Sequence, residues 1–279
     1  MSSTHPLFEY IRPSALKTAN CPGCGNGILA QAILRAIDEE GISMDDFVFV
    51  SGIGCAAWIP SPFFHGDTLH TTHGRPIAFA TGLKLAAPDR RVMVISGDGD
   101  LLAIGGNHFI HAARRNIDMV VICVNNGIYG MTGGQVAPTT PLGLKTVTSP
   151  YGNVENEFDI AGLAIAAGAT YAARWTVYQT LQITKAVRKA LNHKGFSLLE
   201  ILSHCPVHYG KKAGMNSVKM FDGFKERSVT VAKAAGMTPE EKAGKIIVGE
   251  LLDIEKPVLD VELARQREEL RKGAADGQN

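Results

Sequence analysis

At 279 residues, with 45% hydrophobic and 20% charged content, the chain is long enough for one large or two modest domains around a substantial core. A net charge of +1 gives no electrostatic ground for a nucleic-acid or membrane partner, and no apolar run reaches the ~18 residues a bilayer span requires. Residues 1–19 are interrupted by Pro6, Glu9, Arg12 and Pro13 and carry no signal-peptide pattern, so the expected location is cytoplasmic, where five cysteines serve as metal ligands or core rather than disulfides.

Along the chain, apolar periodicity at Leu29, Ile33, Leu34 and Ile37 predicts a helix over 28–40. Residues 47–50 read as a buried strand that runs into Ser51-Gly52. A small-residue helix is expected over 76–87, a strand over 92–95 and a helix over roughly 102–114. Residues 119–124 form a third apolar run ending at Asn125-Asn126. A loop rich in Pro, Thr and Gly follows over 131–153, then helices over 160–167 and 178–192 with a short strand near 169–173 between them. The last core strand spans 197–202.

Continuous apolar strands alternating with helices imply an α/β fold whose parallel sheet is covered on both faces. Ligands in such folds sit beyond the carboxyl ends of the strands, where the segments 52–55, 97–100 and 125–126 begin. Beyond Tyr209 the character changes. Thr238-Pro239-Glu240-Glu241 reads as a capping box introducing a helix to about Leu252, residues 261–272 are heavily charged, and 273–279 should fray. The expected organisation is one α/β domain over 1–225 and a helical tail over 226–279 that packs on it or on a partner.

Gly97-Asp98-Gly99-Asp100 after one strand and Asn125-Asn126 after the next suit a diphosphate held through a cation. The glycines admit close backbone approach, and the Asp98 carboxylate with the Asn126 amide oxygen are hard ligands for Mg²⁺. This spacing resembles the motif of thiamine diphosphate enzymes. The resemblance implies Mg²⁺ on Asp98, Asn126 and the Ile128 carbonyl, diphosphate contacts at Gly97, Gly99 and Asp100, and a continuing loop at Gly130 and Met131.

Cys21-Pro22-Gly23-Cys24-Gly25 is a thiolate turn whose glycine amides are expected to face sulfur. Cys55 lies in a glycine loop, Cys205 follows the last strand, and Cys123 reads as a core residue within an apolar strand. The remaining four match the complement of either a Cys₄ zinc site or a 4Fe–4S cluster, and spacing alone leaves both open.

Cys21 to Gly25, Gly52 to Cys55, His73-Gly74-Arg75, Met131 to Gln135 and Cys205-Pro206, together with the diphosphate motif, resemble the β subunit of 2-oxoacid:ferredoxin oxidoreductases over roughly 15–225. Residues 136–141 and 209–212 look closest to 2-oxoglutarate-type members, although Trp58 and Val207-His208-Tyr209 depart from patterns common among relatives.

The resemblance implies the diphosphate-binding half of the thiamine-diphosphate-binding fold. It implies a 4Fe–4S cluster on Cys21, Cys24, Cys55 and Cys205, and cofactor contacts at Ile53, Gly54, Cys55, Ala56 and His73, the last also being the best acid–base candidate. It further implies a 2-oxoacid and coenzyme A as substrates, ferredoxin as electron acceptor, and an α subunit carrying the pyrimidine-binding domain. Two rivals stand beside it: a non-redox thiamine decarboxylase or synthase subunit, and a zinc-stabilised interaction module.

Overall fold

The apolar runs become the centre of an eight-stranded sheet in the computed structural model, which describes residues 5–15 and 17–276. The strands are β1 (Phe47–Ser51), β2 (Asp67–His70), β3 (Arg91–Gly97), β4 (Met119–Asn125), β5 (Tyr171–Thr176), β6 (Phe196–Leu202), β7 (Ser228–Thr230) and β8 (Ile246–Asp253). They lie in the order β2-β1-β3-β4-β6-β5-β8-β7, and every neighbouring pair is parallel except β5 with β8.

The helices are α1 (Asn26–Glu40), α2 (Pro76–Ala86), α3 (Gly106–Arg114), α4 (Ile160–Ala167), α5 (Thr180–Asn192), α6 (Lys211–Ala213), α7 (Ser217–Arg227), α8 (Val231–Ala234), α9 (Pro239–Lys242) and α10 (Leu259–Asp276). Side-chain alternation along the strands makes two apolar layers. Phe47, Phe49, Met93 and Ile95 face Ile33 and Ile37 of α1 and Ile183 and Val187 of α5. Val48, Val50, Val92 and Val94 face Ile77 of α2, Phe109 of α3 and Ile160 of α4. Each fully buried side chain of this kind contributes about 1.5–3 kcal/mol.

Three expectations need correction, and one strand went unread. The helix expected over 102–114 begins instead as a π-helical turn over Gly99–Ile104 and restarts as α3 after Gly105, where a Cβ would lie 2.4 Å from the Asp100 carbonyl oxygen. The strand placed near 169–173 lies at Tyr171–Thr176, and β2 carried too little apolar character to be read. The capping box at Thr238 and Glu241 is present, but its helix stops at Lys242. Gly244 turns the chain at φ +69°, and Ile246–Asp253 joins the sheet as β8, antiparallel to β5.

The sheet is therefore continuous across position 225. The tail also docks on the amino end of the sheet: Asn116 Nδ2 donates to the carbonyls of Lys256 and Pro257, and Asp118 N donates to Asp260 Oδ1. Of the segment expected to fray, α10 reaches Asp276 and 277–279 lie outside the described residues.

Candidate active site

Loops leaving the carboxyl ends of β1 and β2 converge on one buried carboxylate, that of Asp100 just past β3. Asp100 Oδ1 accepts from Ile53 N at 3.2 Å and Gly74 N at 2.7 Å, Oδ2 accepts from Ser96 Oγ at 2.7 Å, and Nδ1 of His73 contacts Oδ1. The Asp100 side chain is thus engaged within the protein. His73 keeps 40% of its side chain exposed, and its ring meets Tyr129 edge-on with centroids 6.3 Å apart. Gly99 is required by the same packing, since a Cβ there would lie 2.2 Å from Tyr129 Cε1.

Asp98 is 3% exposed and accepts from Gly127 N at 3.1 Å and from Thr139 Oγ1. Burial pushes its carboxyl up to about 6, a shift that a cation alongside would reverse. Thr140 Oγ1 donates to the Gly127 carbonyl at 2.7 Å, and Asn153 Nδ2 to the Thr140 carbonyl at 2.7 Å, so the loop after β4 is pinned at several points. Asn126 Oδ1 accepts from Ile128 N at 3.1 Å and retains a second lone pair. The bonding roles of Thr139 and Thr140, singled out only as part of the stretch 136–141, were missed because they sit in an irregular loop with no periodic signal.

Beneath this loop Glu200 of β6, 3% exposed, accepts from Asn125 Nδ2 at 2.9 Å and Arg174 Nε at 2.7 Å, and Arg174 also pairs with Asp159. Burial and this pairing inside a strand hid Glu200 among apolar neighbours. A cavity of about 480 Å³ opens beside Asn126 and Gly127, with Tyr209, Met220 and Phe224 in its wall and Lys219 and Arg227 at its edge.

The thiols of Cys21, Cys24, Cys55 and Cys205 come to the same end of the sheet, whereas Cys123 is fully buried within β4. A Cβ on Gly130 would lie 3.5 Å from Cys55 Sγ and 3.6 Å from Cys205 Sγ. Burial first, then the charges of Cys205 and Cys21, pushes Cys24 up to about 11. Burial with Cys205, Cys24 and Cys21 does the same to Cys55. Cys24 and Cys55 therefore lie close enough to the other two thiols to feel them, and a cationic centre beside Cys24 and Cys55 would draw these two back to thiolates.

Gly25 N donates to the His204 carbonyl at 3.2 Å instead of to sulfur, and the amide that supports the Cys24 thiolate is that of Asn26 at the start of α1. Among the described residues no three His, Cys, Asp or Glu side chains are gathered as a chelate for a single ion. Exposed Ile53, Trp58, Ile104 and Met131 lie on the loops around the site, and no described helix is long and apolar enough to cross a membrane.

Residues 52–201 match the family described as thiamine pyrophosphate enzyme, C-terminal TPP binding domain. The 2-oxoglutarate synthase subunit KorB of Methanocaldococcus jannaschii is 52% identical over 268 residues, covering 96% of this chain and 99% of that one. The 2-oxoacid:ferredoxin oxidoreductase subunit beta of Saccharolobus solfataricus is 43% identical over 189 residues, 67% of this chain and 62% of that one. A solved structure described as 2-oxoglutarate:ferredoxin oxidoreductase from Magnetococcus marinus, with 2-oxoglutarate, coenzyme A and succinyl-CoA bound, superposes with a TM-score of 0.85 at 33% identity. It covers 97% of this chain and 92% of its own.

Proposed function

The chain belongs to the β-subunit family of 2-oxoacid:ferredoxin oxidoreductases and carries its thiamine pyrophosphate-binding domain, and on that premise we propose that it serves the oxidation of 2-oxoglutarate. The overall reaction takes 2-oxoglutarate and coenzyme A to succinyl-CoA and CO₂, releasing a proton and two electrons to ferredoxin. Thiamine diphosphate, when bound, supplies the electron sink for decarboxylation, and a 4Fe–4S cluster accepts electrons singly.

The protein's share is positional. Asp98, the second lone pair of Asn126 and the Ile128 carbonyl are the donors for Mg²⁺, an all-oxygen set of the kind that ion prefers. Gly97, Gly99, the Asp100 backbone, Gly130 and Met131 line the diphosphate. Ile53, Gly54, Cys55, Ala56 and His73 line the organic part of the cofactor, with Asp100 holding Ile53, Gly74 and His73 in one arrangement. Cys21, Cys24, Cys55 and Cys205 are the cluster ligands. The pyrimidine-binding domain comes from an α subunit, for which the apolar Ile53, Trp58, Ile104 and Met131 form part of the seat.

One observation carries this reading beyond the diphosphate motif. Gly130, four residues past Asn126, lies against both Cys55 and Cys205, so the loop that leaves the cation donors also touches the thiol set. On this reading a decarboxylating cofactor and an electron acceptor would be neighbours in one chain. The test is anaerobic purification with the α subunit, followed by iron, sulfide and thiamine analysis and an oxoacid panel with coenzyme A and an artificial electron acceptor. The expected result is coenzyme A-dependent reduction, fastest with 2-oxoglutarate. Thiamine without iron would favour a non-redox decarboxylase, and zinc without thiamine would favour an interaction module.

A further inference from the structure

We infer that His204 and Ser217 form a clamp that fixes the Cys21–Cys24 loop against Cys205 and so sets the placement of a cluster held between them. This rests on the cluster reading above and assigns two residues that are themselves no ligands.

The geometry is a directed chain. Ser217 Oγ donates its single proton to the Gly23 carbonyl at 2.7 Å. The contact of 3.0 Å between Ser217 Oγ and His204 Nε2 therefore has the ring as donor. His204 is 3% exposed, stands next to Cys205, and packs its ring against Phe221 and Phe224 with centroids 6.1 and 6.2 Å away. Its own carbonyl accepts from Gly25 N, so the 21–25 loop is fastened to residue 204 at two backbone points, one directly and one through Ser217.

Ser217 has no competing duty. It opens α7, but the cap of that helix is Asn216, whose side chain accepts from Lys219 N at 2.9 Å. Gly23 holds φ +77°, and a Cβ there would lie 3.0 Å from Ser217 Oγ, so glycine is what lets the carbonyl reach the hydroxyl. Cys21 is the exposed member of the four thiols and opens this loop. Without the hydroxyl, the Gly23 carbonyl and the His204 ring each lose a partner, and the Cys21 end is left to swing. Supporting contacts of this kind commonly change metal retention by about 10- to 100-fold.

The test uses the full complex isolated anaerobically, with Ser217→Ala, Ser217→Thr, which keeps the hydroxyl, and His204→Phe, which keeps the aromatic packing. Three quantities are read: the half-life of the cluster under an iron chelator, its midpoint potential, and the alkylation rates of Cys21, Cys24 and Cys205 in cluster-free protein. Ser217→Ala and His204→Phe should shorten the half-life by about 10- to 100-fold. Both should displace the potential and speed alkylation of Cys21 and Cys24, with Ser217→Thr close to wild type in all three. A Ser217→Ala protein that matches wild type in half-life, potential and alkylation would overturn the clamp. Wild-type protein without iron would instead sink the cluster reading, and the alkylation rates would still decide whether the clamp exists.

Discussion

Gly52 faces the carboxylate of Asp100 so closely that a methyl group at position 52 would lie 1.9 Å from Oδ2. That carboxylate binds Ile53, Gly74 and Ser96 and touches His73, so crowding it disturbs three loops together. Gly52→Ala should destabilise the fold by about 1–3 kcal/mol through overpacking, read as a lower denaturation midpoint with an unchanged slope. It should also weaken thiamine diphosphate retention. Wild-type stability and retention together would mean that Asp100 is not the tie between these loops.

Asp98→Ala should abolish thiamine diphosphate retention at micromolar Mg²⁺ and leave iron content nearly unchanged, because Asp98 sits with Thr139 and Gly127 and not with the thiols. Thr139→Val removes one donor to the same carboxylate and should weaken retention by a smaller factor. Dialysis followed by thiamine and iron analysis separates the two effects, and an Asp98→Ala protein that keeps its thiamine would refute the cation assignment.

Serine at Cys21, Cys24, Cys55 or Cys205 should remove the broad visible absorbance of an iron–sulfur cluster, while Cys123→Ser should retain it. Cys123 is fully buried in the middle of β4, paired in register with Ser96 and Glu200. Equal bleaching at Cys123 would point to a different ligand set.

Arg174→Met strips the buried Glu200 of its charge partner and should cost about 3–5 kcal/mol, the usual penalty for an uncompensated buried charge. Arg174→Met with Glu200→Leu should recover most of that loss, although Asn125 then loses its tether. Chemical denaturation of the single and double variants provides the comparison. No recovery in the double variant would show that the ion pair contributes more than charge balance.

The chain on its own should oxidise no 2-oxoacid and should self-associate through exposed Ile53, Trp58, Ile104 and Met131, with turnover appearing only when the α subunit is added. Light scattering and a coenzyme A-dependent reduction assay check both halves. Robust turnover by the single chain would mean that its domain content is misread.

The central strands were legible because Phe47–Ser51, Arg91–Gly97 and Met119–Asn125 are apolar on both faces and end at or just before a glycine or asparagine, a pattern tied to buried parallel strands. The four candidate thiols were singled out by residue type and local setting, not by a spacing that joins them, and the structure brings them to one end of the sheet. β8 was not legible. A genuine capping box at Thr238 announced a helix, and only the turn at Gly244 and the pairing with β5 redirect Ile246–Asp253. Pairing across the sheet is a tertiary choice that local propensity does not contain. The tethering role of Asp100 was hidden in the same way, since its partners Ile53 and Gly74 are 47 and 26 residues away in sequence.

The late arrival of β8 has a consequence for synthesis. β5 emerges from the ribosome well before the strand that covers its outer edge, and at about 5–20 residues per second the gap lasts several seconds. Throughout that interval an apolar strand offers unpaired amides and carbonyls to any neighbouring nascent chain. A chaperone that shields this edge would have its window there, and a product terminated near position 225 would carry the open edge permanently.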